Sequence, residues 1–215
     1  MAFDAGPSRN CALCPRLAEF RESNRAAFPE WSNAPVSSFG KASARLLIVG
    51  LAPGLRGANR TGRPFTGDYA GDLLYETLLR YGFASGAYDR RPDDGLELVD
   101  CAIANAVRCV PPQNKPTPQE ISTCRAYLKQ TLAALAQLRI VLALGRVAHE
   151  TLLRAFGARS AEFPFSHGKR HAIRPDGPSL FDSYHCSRYN TNTGVLTETM
   201  FRDVFAAVRA ELDRF

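Results

Sequence analysis

The sequence predicts an α/β fold: one domain spanning residues 1–215, with a parallel sheet held between helical layers. Two observations carry that prediction. Four short β-type runs, Arg45–Val49, Leu98–Ile103, Ile140–Leu144 and Ser179–Tyr184, alternate with helix-patterned stretches, the order that strand–helix–strand units require. Ile140–Leu144 is apolar at every position, as a strand covered on both faces must be.

The helices follow in order. Gly71–Arg80 sets Leu74, Tyr75 and Leu78 on one side and stops before Gly82. Thr117 stands as N-cap, with Pro118 at the first helical position and Glu120 at the third. That is a capping box, and its helix runs to about Leu135. Gly145–Phe156 is a further helix, ended by Gly157. Thr197–Leu212 repeats Met200, Val204, Ala207, Val208 and Leu212 at helical spacing. No internal repeat or low-complexity tract interrupts the pattern.

Composition narrows the class. Hydrophobic residues are 45% and charged residues 22% of the chain, which excludes a disordered or collagen-like polypeptide. The apolar runs are far shorter than a bilayer span, and residues 1–10 lack the basic-then-apolar layout of a secretory leader. The expectation is a soluble, cytoplasmic protein acting as a monomer. Net charge is +6, and Lys occurs only at 41, 115, 129 and 169. An Arg-rich surplus permits a polyanionic partner without requiring one.

Cysteines stand at 11, 14, 101, 109, 124 and 186. In a reducing compartment a Cys-x-x-Cys pair points to metal or redox chemistry rather than a disulfide. No strand precedes Cys11, so a thioredoxin-type motif does not fit. Cys109 and Cys124 flank a Pro-rich loop and join Cys11 and Cys14 as a candidate four-thiolate set for zinc or an iron–sulfur cluster. Spacing leaves those two open, and unrelated thiols as well. Cys101 and Cys186 read as small buried residues. His149 reads as a packed or surface residue, and His167 and His171 as part of a solvated basic turn.

Polar, Gly- and Pro-rich segments follow three of the strands, at 50–68, 105–114 and 185–194. In such sheets sites gather at the carboxyl ends of the strands. Their motifs are Gly50-Leu-Ala-Pro-Gly54, Arg60-Thr-Gly-Arg-Pro-Phe-Thr-Gly-Asp68, Asn105-Ala-Val-Arg-Cys-Val-Pro-Pro112, Asn114-Lys-Pro-Thr-Pro118 and His185-Cys-Ser-Arg-Tyr-Asn190. Taken together, and in this order, they resemble the type 5 uracil-DNA glycosylases. The resemblance implies a three-layer α/β/α sandwich around a four-stranded parallel sheet. It also implies a structural [4Fe–4S] cluster on Cys11, Cys14, Cys109 and Cys124, and uracil-containing DNA as partner.

Cleaving the glycosidic bond of deoxyuridine generates an oxocarbenium-like sugar and an anionic base. A carboxylate suits the first, hydrogen-bond donors the second, and the nucleotide must be flipped out of the duplex. Leu51 and Ala52 supply no carboxylate where other members of the superfamily carry one, so Asp68 is expected to replace it. Asn114 is expected to orient water or the sugar, and His185 to donate to a base carbonyl. Phe65 is the expected stacking face, with Ala52 and Gly54 offering backbone N–H groups. Asn105 departs from the Ala common in type 5 and resembles the uracil-reading Asn of types 1 and 4. Its amide donates to O4 and accepts from N3–H, which predicts preference for uracil over purine lesions. Arg56, Arg60, Arg63, Lys115, Ser187 and Arg188 are expected to contact DNA, with Tyr189 as the wedge. The alternative is an iron–sulfur DNA-binding protein that recognises damaged bases without cleavage.

Overall fold

The computed structural model describes residues 6–215, so the first half of the opening stretch compared above with a leader lies outside it. Its strands are β1 (Phe39–Gly40), β2 (Leu46–Gly50), β3 (Ala84–Ser85), β4 (Glu97–Leu98), β5 (Cys101–Asn105), β6 (Ile140–Leu144), β7 (Arg170–Ala172) and β8 (Ser179–Ser183). The helices are α1 (Pro15–Ala27), α2 (Ala58–Thr61), α3 (Tyr69–Arg80), α4 (Pro118–Ala134), α5 (Arg146–Phe156), α6 (Arg188–Asn192) and α7 (Glu198–Leu212).

The main sheet has the order β1-β5-β2-β6-β8-β7. Its four central strands are mutually parallel, as expected. Two short antiparallel strands, β1 and β7, extend it to six. Neither carries a long apolar run, which is why the sequence pattern did not mark them. The run Leu98–Ile103 also divides. Asp100 takes a left-handed φ of 53°, so Leu98 pairs with Ala84 in a separate two-stranded sheet while Cys101 onward joins the main one. Among the described residues no helix is long and apolar enough to cross a membrane.

Alternation along the strands builds two cores. Leu46 and Ile48 pack with Leu74, Leu78, Phe201 and Phe205 of α3 and α7. Leu47 and Val49 face the other way, onto Leu128 of α4 and Leu152 of α5. Each such fully buried side chain contributes roughly 1.5–3 kcal/mol relative to exposure. The capping box at Thr117 forms as the sequence predicts.

One polar knot crosses the sheet edge. Asp182 on β8 takes His149 Nδ1 at 2.7 Å, His171 Nε2 at 2.9 Å and the Ser166 backbone N–H at 3.2 Å. All three side chains are buried. The solvated turn expected around His171 is therefore corrected: β7 folds back on β8 and carries His171 inward. Asp182→Ala removes the carboxylate from His149 Nδ1, His171 Nε2 and the Ser166 N–H, leaving His149 the Phe163 carbonyl on its other nitrogen. A loss of about 3 kcal/mol or more is expected in urea unfolding; a loss below about 1 kcal/mol would show the knot to be dispensable.

Candidate active site and cysteine cluster

Parallel pairing brings the carboxyl ends of β2, β5 and β8 to one edge, with Gly50 opposite Asn105 in the register. A cleft of about 560 Å³ opens there. Its lining unites Ala52, Gly54, Phe65, Asp68, Asn105, Asn114, His185, Ser187 and Arg188 from three separate loops.

Gly50 makes the floor. A side-chain carbon there would come within 2.5 Å of the Phe65 ring and 2.6 Å of Asn105 Oδ1, so only glycine lets both pack in. Phe65 holds a left-handed φ of 53°, and its ring lies 5.9 Å from the His185 ring, inclined by 28°. Asn105 is 2% exposed, and among the described residues its Oδ1 accepts no hydrogen bond. A buried acceptor left unpaired costs about 1–3 kcal/mol, so this one is poised for an N–H donor entering the cleft.

Asp68 is the N-cap of α3, its Oδ1 accepting from the Gly71 N–H at 3.2 Å. Its other oxygen fits against Gly54 and Gly57, where added side-chain carbons would sit 2.9 and 2.2 Å away. Capping and site lining are thus combined in one residue. Burial raises its carboxyl above the ordinary carboxylate range, an effect opposed by the Gly71 and Ala70 backbone N–H groups. Burial pushes His185 down to about 4, so its ring is neutral at physiological pH. Asn114 follows Gln113, both in left-handed backbone (φ 57° and 55°). Such conformations cluster where geometry serves a site.

The positive residues separate. Arg188 lies over the Tyr69 ring, 5.3 Å from its centroid, at the rim. Arg56, Arg60, Lys115 and Tyr189 are exposed, with Tyr189 74% exposed on α6. Arg63 is corrected. It is buried, makes a bidentate pair with Asp94 at 2.8 and 2.7 Å, and sits among the Phe39, Tyr75 and Tyr88 rings. It braces the loop and is withdrawn from the DNA-contacting set. Tyr69 was missed in the sequence, although its place beside Asp68 marked it.

Cys11, Cys14, Cys109 and Cys124 line one small apolar cavity with Leu17 and Val107. Cys14 caps α1, Cys124 lies on α4, and the Arg108 backbone N–H donates to Cys124 Sγ at 3.3 Å. Burial raises the thiols of Cys14 and Cys124 and pushes Cys109 up to about 12. Thiolates gathered here call for a cationic occupant. Arg21, also missed in the sequence, points a buried guanidinium at the same place: Nη1 is 3.7 Å from Cys109 Sγ. Four thiols with an adjoining buried cation fit a group whose iron and sulfide core plus four thiolates is net anionic.

Residues 37–209 match the family described as the uracil DNA glycosylase superfamily. A type-5 uracil-DNA glycosylase of Thermus thermophilus is 46% identical over 200 residues, covering 90% of each chain. One of Pyrobaculum aerophilum is 38% identical, covering 94% of this chain and 89% of its own. A type-4 uracil-DNA glycosylase of the same archaeon is 33% identical over 82% of this chain and 78% of its own.

Proposed function

Because the chain belongs to the uracil-DNA glycosylase superfamily, with type-5 enzymes among its relatives, we propose that it is a DNA repair glycosylase that hydrolyses the N-glycosidic bond of uracil in DNA. The observation that carries this is the meeting of Asp68, Asn114 and His185 in one cleft above an unpaired Asn105 oxygen.

The flipped base enters between Phe65 and the Asn105 amide, and Asn105 Oδ1 accepts from N3–H. As the N1–C1′ bond breaks, its electron pair passes to the base, and the neutral His185 ring donates a hydrogen bond to the carbonyl where charge builds. The Asp68 carboxylate offsets the positive charge spreading over C1′ and the ring oxygen. Water positioned by Asn114 adds its oxygen to C1′ and loses a proton to solvent, and the departing base anion takes one proton back from solvent. The products are an abasic site and free uracil. Arg56, Arg60, Lys115, Ser187 and Arg188 hold phosphates, and Tyr189 fills the gap left by the flipped nucleotide.

Cys11, Cys14, Cys109 and Cys124 would hold a [4Fe–4S] cluster, whose bonds, when it is bound, supply a fixed cross-link between the chain's start, the 105–114 segment and α4. We assign it no step in the reaction. The protein is read as one domain, acting as a monomer in the cytoplasm, where its thiols stay reduced. No observation favours the reading as a DNA binder that leaves the bond intact.

The test is release of free base from duplexes containing uracil, hypoxanthine, xanthine or thymine. Uracil release is expected, at a rate above that for the purine lesions. Asn105→Ala is expected to lower the uracil rate roughly tenfold or more with a smaller effect on hypoxanthine. An unchanged uracil-to-hypoxanthine ratio would remove Asn105 from base reading, and absence of base release from every duplex would remove the enzymatic assignment.

A further inference from the structure

Arg21 is 3% exposed, on the inner face of α1, seven residues beyond Cys14. Its Nη2 donates to the Cys11 carbonyl oxygen at 2.9 Å, and its Nη1 reaches the Cys109 sulfur. One guanidinium thus spans two of the four cysteines. Its Nε is buried with no hydrogen-bond partner among the described residues. Among the described residues the carboxylate beside it is Glu22, 3.7 Å away and 60% exposed in its side chain, which already pairs with Arg25 at 2.8 Å. A guanidinium taken out of water needs a compensating anion at close range. A screened surface carboxylate shared with another Arg supplies little of that. The cysteine cavity is where the compensation can come from.

We propose that Arg21 is the counter-charge of the iron–sulfur site, holding the cluster in place and setting its reduction potential. This rests on the cluster reading given above. A fixed positive charge against the thiolates favours whichever state carries more negative charge. Adding one electron to the oxidised cluster makes it more negative by one, so Arg21 raises the potential. N–H donation to a ligating sulfur acts in the same direction. The potential serves here as a gauge of local charge, with dithionite as the reductant in the measurement.

The experiment is an anaerobic, mediator-buffered titration of the full-length protein, followed by visible absorbance and by electron paramagnetic resonance of the reduced form. Arg21→Met keeps the bulk and removes the charge. At fixed poise its reduced-to-oxidised ratio is expected to fall about tenfold or more, a shift of about 59 mV or more for one electron. Its iron is expected to pass to a chelator at least several-fold faster. Arg21→Lys keeps the charge and is expected to stay within about threefold of the parent ratio, a window narrower than the tenfold step above. If Arg21→Met fails to fold, Arg21→Lys decides: a ratio lowered tenfold there would show that charge is not what Arg21 supplies. A cluster-bearing parent with an unchanged potential in Arg21→Met overturns the role of Arg21 alone. A parent protein that takes up no cluster overturns the cluster reading, and this inference with it.

Discussion

Asp68→Asn is expected to lower single-turnover release of uracil by at least roughly tenfold, about 1.4 kcal/mol of barrier, while duplex binding stays nearly constant. The carboxylate works on a charge that exists only as the bond breaks, so its loss belongs in the chemical step. His185→Ala is expected to behave alike. The pH profile separates them. Asp68 must be ionised, and burial has raised its range, so excision falls as pH drops through that raised range. His185 stays neutral until about pH 4; the part of the acid limb that belongs to Asp68 is the part that vanishes in Asp68→Asn. Stability should run the other way. The folded form binds this proton more tightly than the unfolded chain, so the ionised group costs stability above its raised range. Asn keeps an oxygen to accept from Gly71, and the variant is expected to melt no lower than the parent at neutral pH. Equal losses of binding and rate would take Asp68 out of the chemistry.

Cys109→Ser is expected to yield colourless, poorly folded protein. The cavity it lines is a junction: its walls come from the chain's start, from α4 and from the segment between Asn105 and Asn114. Metal-ligand bonds would tie those walls together, and their loss removes folding free energy. The effect should reach the cleft, because Ala52 packs in the same apolar group as Cys14, Cys109 and Val107. Iron content, visible absorbance and thermal unfolding check it together. A stable, brown Cys109→Ser protein would mean a different ligand set.

The central strands were legible because β2 and β6 are continuous apolar runs and β5 and β8, mixed in composition, fall between helix-patterned stretches. Helices α4 and α5 were legible because Thr117, Gly145 and Gly157 punctuate them. The edge strands were not, since two or three residues at Phe39 or His171 leave no period to read. At the site, the loops announced themselves through Gly, Pro and Asn where strands end. Ala52, Phe65, Asp68, Asn105 and His185 converge because parallel strands must end at one edge. Arg63 misled because it stands in a Gly- and Pro-rich loop that reads as exposed while its partner, Asp94, lies 31 residues away. Arg21 stayed hidden for a related reason: helix α1 is mostly polar, and burial of a charge is a tertiary fact. The knot of His149, His171 and Asp182 joins three elements and has no local signature.

The close fit of Asp68 against Gly57 bears on how such a site can arise by descent. A methyl group on residue 57 and a carboxylate on residue 68 compete for one volume, the approach being 2.2 Å. A chain with any larger residue at 57 has no room for the acid in its present seat. The two positions are therefore tied: the carboxylate can be kept here only where the glycine is kept, and changing Gly57 alone would unseat the acid. Substitutions at 57 and 68 are thus not independent of one another in any descendant of this site.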